Sequence, residues 1–203
     1  MDKETVQETV KDIKRGFFLQ MNGVASVSMR EKGVNGYLNW GIQFTALRGI
    51  AEKYGKDYEL AIALWKENVR ECKILATLIM PCEKMSEDLV ALWMEQTETQ
   101  EIAEYATFNV YQNVENASLY AFVWIASSNP LYQICGFNLL ACLFKKGAQP
   151  CERDINEFVD QAVSALADSS VSVRHAANNS LVAFSGMGDM QCKIVESALK
   201  KCM

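Results

Sequence analysis

The chain has 203 residues, of which half are apolar, so it can bury one large core or two very small ones. Its formal net charge of −5 differs from the basic excess typical of nucleic-acid proteins and counts against duplex binding, unless the charges are segregated by face. No apolar run reaches the roughly 18 residues of a membrane-spanning helix, and the charged, amphipathic first residues do not resemble a secretory signal. We therefore expect a cytoplasmic protein without a membrane partner. Because there are only three prolines and no linker-like stretch, a single domain over residues 1–203 is the simpler prediction.

Apolar residues recur at helical spacing along nearly the whole chain. The first helix is marked by one stripe: Val6, Val10, Ile13, Phe17 and Phe18. Turn signals at residues 35–36 and 54–57 then bracket a second helical block.

Four helix–break–helix units follow, and they begin at intervals of roughly 30–40 residues, the period of HEAT-like repeats. The predicted helix pairs are 60–65 with 69–79, 89–93 with 102–111, 119–126 with 131–144, and 158–167 with 171–184. Pro81 ends one helix, while Asn129 and the residues Asp168, Ser169 and Ser170 supply N-caps. The pattern predicts an all-α, HEAT-like α-solenoid of stacked antiparallel helix pairs. Five residues are predicted to lie in its core: Trp65, Leu75, Ile79, Leu140 and Leu181.

The cysteines and glycines do not form a recognisable reactive site. Seven cysteines, an odd number without C-x-x-C spacing, fall mostly in apolar helical stretches, where a free thiol behaves as a small hydrophobe. We expect them to be reduced. The single histidine, His175, disfavours a zinc site, and neither a phosphate-binding glycine loop nor a nucleophile elbow is present. The sequence therefore predicts no metal and no cofactor.

Two sets of charged or polar residues allow more than one interpretation. Gln100 and Glu104 are four residues apart and share one helix face, which composition alone explains as a solvated helix start. Arg70 and Lys73 share a face of another helix, and Arg174 occupies the matching place in a later repeat. These cations are either isolated surface charges or part of a concave stripe that binds phosphates.

Three ordered blocks resemble the AlkD-type DNA alkylation repair family. They are Asn39-Trp40-Gly41-Ile42-Gln43-Phe44, Leu47-Arg48-Gly49-Ile50-Ala51, and Leu64 to Glu71 with Leu75-Ala76. The resemblance covers most of the chain and is clearest over residues 38–80. It implies a HEAT-like solenoid whose active relatives are metal-free glycosylases that remove cationic alkylated purines from duplex DNA. In that family, a carboxylate with flanking tryptophans stabilises the positively charged sugar as the glycosidic bond breaks.

Carried over residue by residue, the resemblance implies a modified active site. The family's W-D-x-x-D stretch falls on residues 100–104, which puts Glu104 at the aspartate position and Gln100 at the tryptophan position. A second family tryptophan falls on Asn179. Arg70, Lys73 and Arg174 would contact phosphates. Because neither aromatic position keeps a π face, the resemblance implies a DNA alkylation repair protein with weak or absent glycosylase activity. The alternative is a non-catalytic helical-repeat module that binds protein or structured nucleic acid.

Overall fold

The computed structural model describes residues 3–168 and 170–201, which form twelve α-helices and no β-strand. The helices are α1 (Lys3–Gln20), α2 (Gly23–Glu31), α3 (Phe44–Tyr54), α4 (Tyr58–Lys66), α5 (Arg70–Ile79), α6 (Glu87–Glu95), α7 (Gln100–Asn109), α8 (Ala117–Ile125), α9 (Pro130–Lys145), α10 (Glu152–Asp168), α11 (Val171–Ser185) and α12 (Asp189–Lys201). Two single-turn 3-10 helices lie at Cys82–Lys84 and Tyr111–Asn113. The predicted all-α class is confirmed.

The first compact unit extends to Val110 and is organised around α5. Helices α3, α4 and α7 all pack on α5, and α1 packs on α4. Helix α4 starts where the Asp57 side chain accepts a hydrogen bond from the amide of Leu60 (2.9 Å), and α5 ends two residues before Pro81. The break between α4 and α5 reverses the chain, as the sequence predicts.

The second compact unit starts at Tyr111 and is organised around α9, which packs against both α8 and α11. The Asn129 side chain accepts a hydrogen bond from the amide of Leu131 (2.9 Å), and Pro130 occupies the first turn. Gly136 brings α9 against α8 so closely that a Cβ there would lie 2.7 Å from the backbone nitrogen of Ile125. Ser170 caps α11, whereas Ser169 and the side chain of Asp168 lie outside the described part of the chain.

The predicted core is confirmed, because Trp65, Leu75, Ile79, Leu140 and Leu181 are all buried. The residues of the predicted apolar stripe of α1 are buried, except for Phe18, which is exposed. Phe17 and Phe18 point about 100° apart on α1, and only Phe17 is turned into the core. Helices α2 and α12 were not predicted, and the single-domain organisation stays a prediction.

Candidate functional site

Helix α7 carries the polar pair that the sequence singles out. It begins after Thr99, whose hydroxyl accepts a hydrogen bond from the amide of Ile102 at 3.4 Å. Gln100 is exposed, and its side-chain amide donates to Oε1 of the half-buried Glu104 at 2.7 Å. One oxygen of the surface carboxylate is therefore already engaged by an amide.

An aromatic pair lies directly beside this carboxylate. The ring of Tyr105 stacks on that of Phe44, the first residue of α3, with centroids 4.7 Å apart and planes 13° apart. Burial raises the pKa of Tyr105, and the Glu101 and Glu104 carboxylates add to the shift while Arg70 opposes it. The phenol therefore stays neutral close to two carboxylates.

Arg70, at the start of α5, is the centre of a buried ionic network. Only 2% of its side chain is exposed, and its guanidinium binds Glu101 through two hydrogen bonds of 2.6 Å. The same group donates to the carbonyl oxygen of Ile42 and to Oε1 of Glu71, both at 3.1 Å. Arg70 thus joins α5 to α7 and to the segment that precedes α3.

Glu71 holds that segment, residues 38–42, in place. Its fully buried carboxylate accepts hydrogen bonds from the backbone nitrogens of Trp40 (3.1 Å) and Ile42 (3.3 Å). Gly41 has φ +75°, and a Cβ there would lie 2.2 Å from the carbonyl oxygen of Asn22, so only glycine fits. Residues that carry the family resemblance therefore build this network.

Lys73 lies one turn further along α5 and is also buried, with 6% of its surface exposed. Its Nζ atom lies over the ring of Trp65 at 4.5 Å and over the ring of Tyr37 at 5.5 Å. Burial lowers the pKa of Lys73, while the Glu98 carboxylate acts in the opposite direction. The amine is therefore held in an aromatic environment at the base of the α4–α5 connection.

In the second unit, the predicted residues lie on the surface of α11. Arg174 and Asn179 are both exposed, as are His175 and Asn178 between them. Val182, one turn beyond Asn178, is exposed as well. The exposed surface of α11 is therefore polar over residues 174–179, with the exposed apolar residues Val171 and Val182 on either side.

A protein-family comparison shows the relationship of the chain to known proteins. The family model described as DNA alkylation repair enzyme matches residues 22–195, which is most of the chain. The chain belongs to the DNA alkylation repair enzyme family. The resemblance predicted from residues 38–80 is thereby confirmed.

A solved structure shares the fold. It belongs to a protein described as part of "a new family of proteins related to the HEAT-like repeat DNA glycosylases with affinity for branched DNA structures". The two chains are 18% identical, with a TM-score of 0.79, and the match covers 94% of this chain and 80% of the other. The HEAT-like helical-repeat fold predicted from the sequence is therefore confirmed. A search of curated protein sequences found no significant match.

In this family member, the structure brings some of the predicted site residues into contact and leaves others apart. Gln100 and Glu104 are hydrogen-bonded, whereas Arg70 and Lys73 point into different buried surroundings despite sharing α5. The stacked pair of Phe44 and Tyr105 was missed by the sequence reasoning. Tyr105 follows Glu104 directly and could have been noticed, but its partner lies 61 residues away and has no local signal.

The described residues contain no group of three or more His, Cys, Asp or Glu side chains that could hold a metal ion. Six cysteines in this part of the chain are free thiols, and Cys202 lies outside it. No helix among the described residues has the length and apolar character needed to cross a bilayer. A cavity of about 660 Å³ between α10 and α12 is lined by none of the predicted site residues.

Proposed function

We propose that the protein binds DNA as a member of the alkylation repair family and removes cationic purines slowly or not at all. The observation that carries this proposal is the hydrogen bond between Gln100 and Glu104. Glu104 keeps a carboxylate on the surface of α7, where it can stabilise a developing positive charge on the sugar. At the tryptophan position of the family pattern, however, an amide takes up one carboxylate oxygen and offers no π face.

The expected loss of rate can be worked out from the missing aromatic wall. A desolvated cation–π contact contributes about 1–2 kcal/mol, and about 1.4 kcal/mol corresponds to roughly tenfold in rate. Asn179, at the second aromatic position of the family pattern, offers no π face either. Loss of the wall at Gln100 alone lowers the expected excision rate by roughly tenfold.

The DNA contact is proposed to involve Arg174, which is exposed on α11. Arg70 and Lys73 would each have to leave a buried set of contacts before meeting a phosphate. We therefore assign Arg70 to holding α5, α7 and the 38–42 segment together, and we do not assign Lys73 to phosphate contact. Duplex DNA remains the proposed substrate, and a branched duplex is the natural competitor because the structural neighbour is described as having affinity for it. A cytoplasmic location is part of the proposal.

Binding is tested by fluorescence anisotropy with a linear duplex and a four-way junction at several salt concentrations. Affinity should fall steeply with salt, because each neutralised phosphate releases counterions. Arg174→Gln should weaken binding to both substrates and lower the salt slope by about 1. Arg153→Gln, an exposed change on α10, is the matched control and should leave the slope unchanged. Binding that does not depend on salt would contradict the proposal.

Excision is tested by 7-methylguanine release from alkylated duplex. Gln100→Trp should raise the rate by roughly tenfold, since it restores an aromatic wall and frees Glu104. In a Glu104→Gln background the same change should give no gain. Glu95→Gln, at the exposed end of α6, serves as the control for loss of a surface charge. Equal release from the parent and Glu104→Gln would remove Glu104 from any catalytic role.

The second candidate is a module that binds protein, or a structured nucleic acid, without catalysis. Helix α8 favours the protein partner, because it exposes Leu119 and Val123 one turn apart on an otherwise apolar helix. Absence of salt-sensitive DNA binding, together with loss of a protein partner in Leu119→Ser, would favour this function.

A further inference from the structure

The first unit contains a small pocket with Lys73 in its floor. The pocket has a volume of about 270 Å³ and lies between the α4–α5 and α6–α7 connections. Its floor consists of the buried side chains of Tyr37, Trp65 and Lys73, while Lys66 and Glu98 are exposed at its rim. It is separate from the Glu104 carboxylate, which does not line it.

The Nζ atom of Lys73 lies over two aromatic rings, those of Trp65 and Tyr37. Only 6% of the surface of Lys73 is exposed. Among the residues that the structure describes, none forms a hydrogen bond or an ion pair with its amine. Lysine is almost never buried to this extent without a partner, and the Nζ atom of Lys73 keeps its access to solvent through the pocket. Burial lowers the pKa of Lys73, which makes the nucleophilic, unprotonated amine easier to reach than for a lysine in water.

The aromatic floor is itself rigid, so the amine is held in one place. Trp65 stacks on Trp93 with ring centroids 3.9 Å apart, and its indole nitrogen donates to the side-chain oxygen of Gln96 at 2.9 Å. The hydroxyl of Tyr37 donates to the carbonyl oxygen of Gln96 and accepts from the amide of Glu98. A positioned amine with a lowered pKa at the base of an open pocket is the arrangement of a nucleophilic lysine.

We propose that Lys73 forms an imine with the ring-opened sugar aldehyde of an abasic site in DNA. This inference rests on the proposed function, since the protein must bind DNA before the sugar can react. An abasic site remains when the glycosidic bond of a nucleotide is broken. The imine would keep the protein attached to the strand that has lost its base, whichever protein removed that base.

The reaction balances without any oxidant or reductant. The nitrogen lone pair of Lys73 attacks the aldehyde carbon, and the carbonyl oxygen takes up a proton to give a carbinolamine. That intermediate loses water as the C=N bond forms, so both hydrogens of the amine leave on the departing oxygen. Glu98, at the rim, is the carboxylate of the pocket that can carry protons between nitrogen and oxygen. Addition of water reverses the reaction and releases the DNA.

The test is reductive trapping with an abasic-site duplex. Sodium cyanoborohydride converts the imine to a stable secondary amine, and peptide mapping by mass spectrometry of the parent protein then locates the adduct. We expect the adduct on Lys73, and its loss in Lys73→Arg and Lys73→Met. Lys84→Arg is the matched control, because Lys84 also lies over a tyrosine ring, at 5.8 Å from that of Tyr58, but is exposed.

The outcomes separate this inference from the proposed function. Affinity is measured in parallel with a duplex that carries a tetrahydrofuran abasic analogue, which has no aldehyde. Normal affinity without an adduct, or an adduct spread over exposed lysines, would overturn the imine and leave DNA binding intact. No affinity for either duplex would overturn both. Peptide mapping of the parent decides the question even if the Lys73 variants fail to fold.

Discussion

Replacing Arg70 with methionine removes the guanidinium that pairs with Glu71 and Glu101, while keeping a long side chain to fill the same space. Glu71 is fully buried, so its charge would lose the cation beside it and could not reach water. Glu101 is 24% exposed and can rehydrate, so its loss of a partner should cost little.

The magnitude follows from this difference between the two carboxylates. Breaking a buried ion pair by removing one partner costs about 3–5 kcal/mol. Glu71 keeps its hydrogen bonds from the backbone nitrogens of Trp40 and Ile42, which places the expected cost at the lower end, about 3 kcal/mol. For a chain of this length, that corresponds to a fall in Tm of about 6–12 °C.

The assay is thermal unfolding followed by circular dichroism, with Arg48→Met as the control. Arg48 forms an exposed ion pair with Glu52, one turn along α3 at 3.5 Å, and such pairs contribute at most about 1 kcal/mol. Adding Glu71→Gln to the Arg70→Met variant should recover part of the lost stability, because the orphaned charge disappears while a carbonyl oxygen remains to accept from the backbone. If Arg70→Met lowers Tm no more than Arg48→Met, the reasoning is refuted.

Two further predictions concern the core of the first unit. Leu75→Ala should lower the free energy of unfolding by about 2–5 kcal/mol, because Leu75 is completely buried on α5, and a loss below ~0.5 kcal/mol in a denaturant melt would contradict that placement. Burial raises the pKa of Cys72 from 9.0 to about 12, so the folded state disfavours the thiolate: the stabilisation is complete below about pH 9 and is lost between pH 9 and 12. Between about pH 8 and 10.5, the parent should therefore lose about 2 kcal/mol more than Cys72→Ala in parallel melts, and equal losses would argue against a buried thiol.

Much of the fold could be predicted because helices are encoded locally. Apolar residues at helical spacing, cap residues such as Asn129 and the break at Pro81 located the paired helices to within a few residues. Helix α2 was missed because it has no apolar stripe: among its residues only Ser26 is buried, and the Ser26 hydroxyl donates to the carbonyl oxygen of Asn39 at 2.7 Å.

The candidate site likewise has a part that local sequence predicts and a part that depends on distant residues. The pairing of Gln100 with Glu104 follows from four-residue spacing on one helix, and the structure confirms that the two side chains meet. The surroundings of Arg70 and Lys73 do not follow from spacing, since their partners Glu101 and Tyr37 are 31 and 36 residues away in sequence. The same local pattern fits an exposed phosphate contact and a buried ion pair.

The sequence by itself therefore determined the helical class, the repeat period, the family and the positions that form the core. Only the tertiary structure decided that Arg70 is buried against carboxylates, that Lys73 lies in an aromatic pocket, and that Phe44 stacks on Tyr105. The physical reason is range: backbone hydrogen bonds and apolar stripes repeat within one helix, whereas the environment of a charge depends on which other helices pack around it.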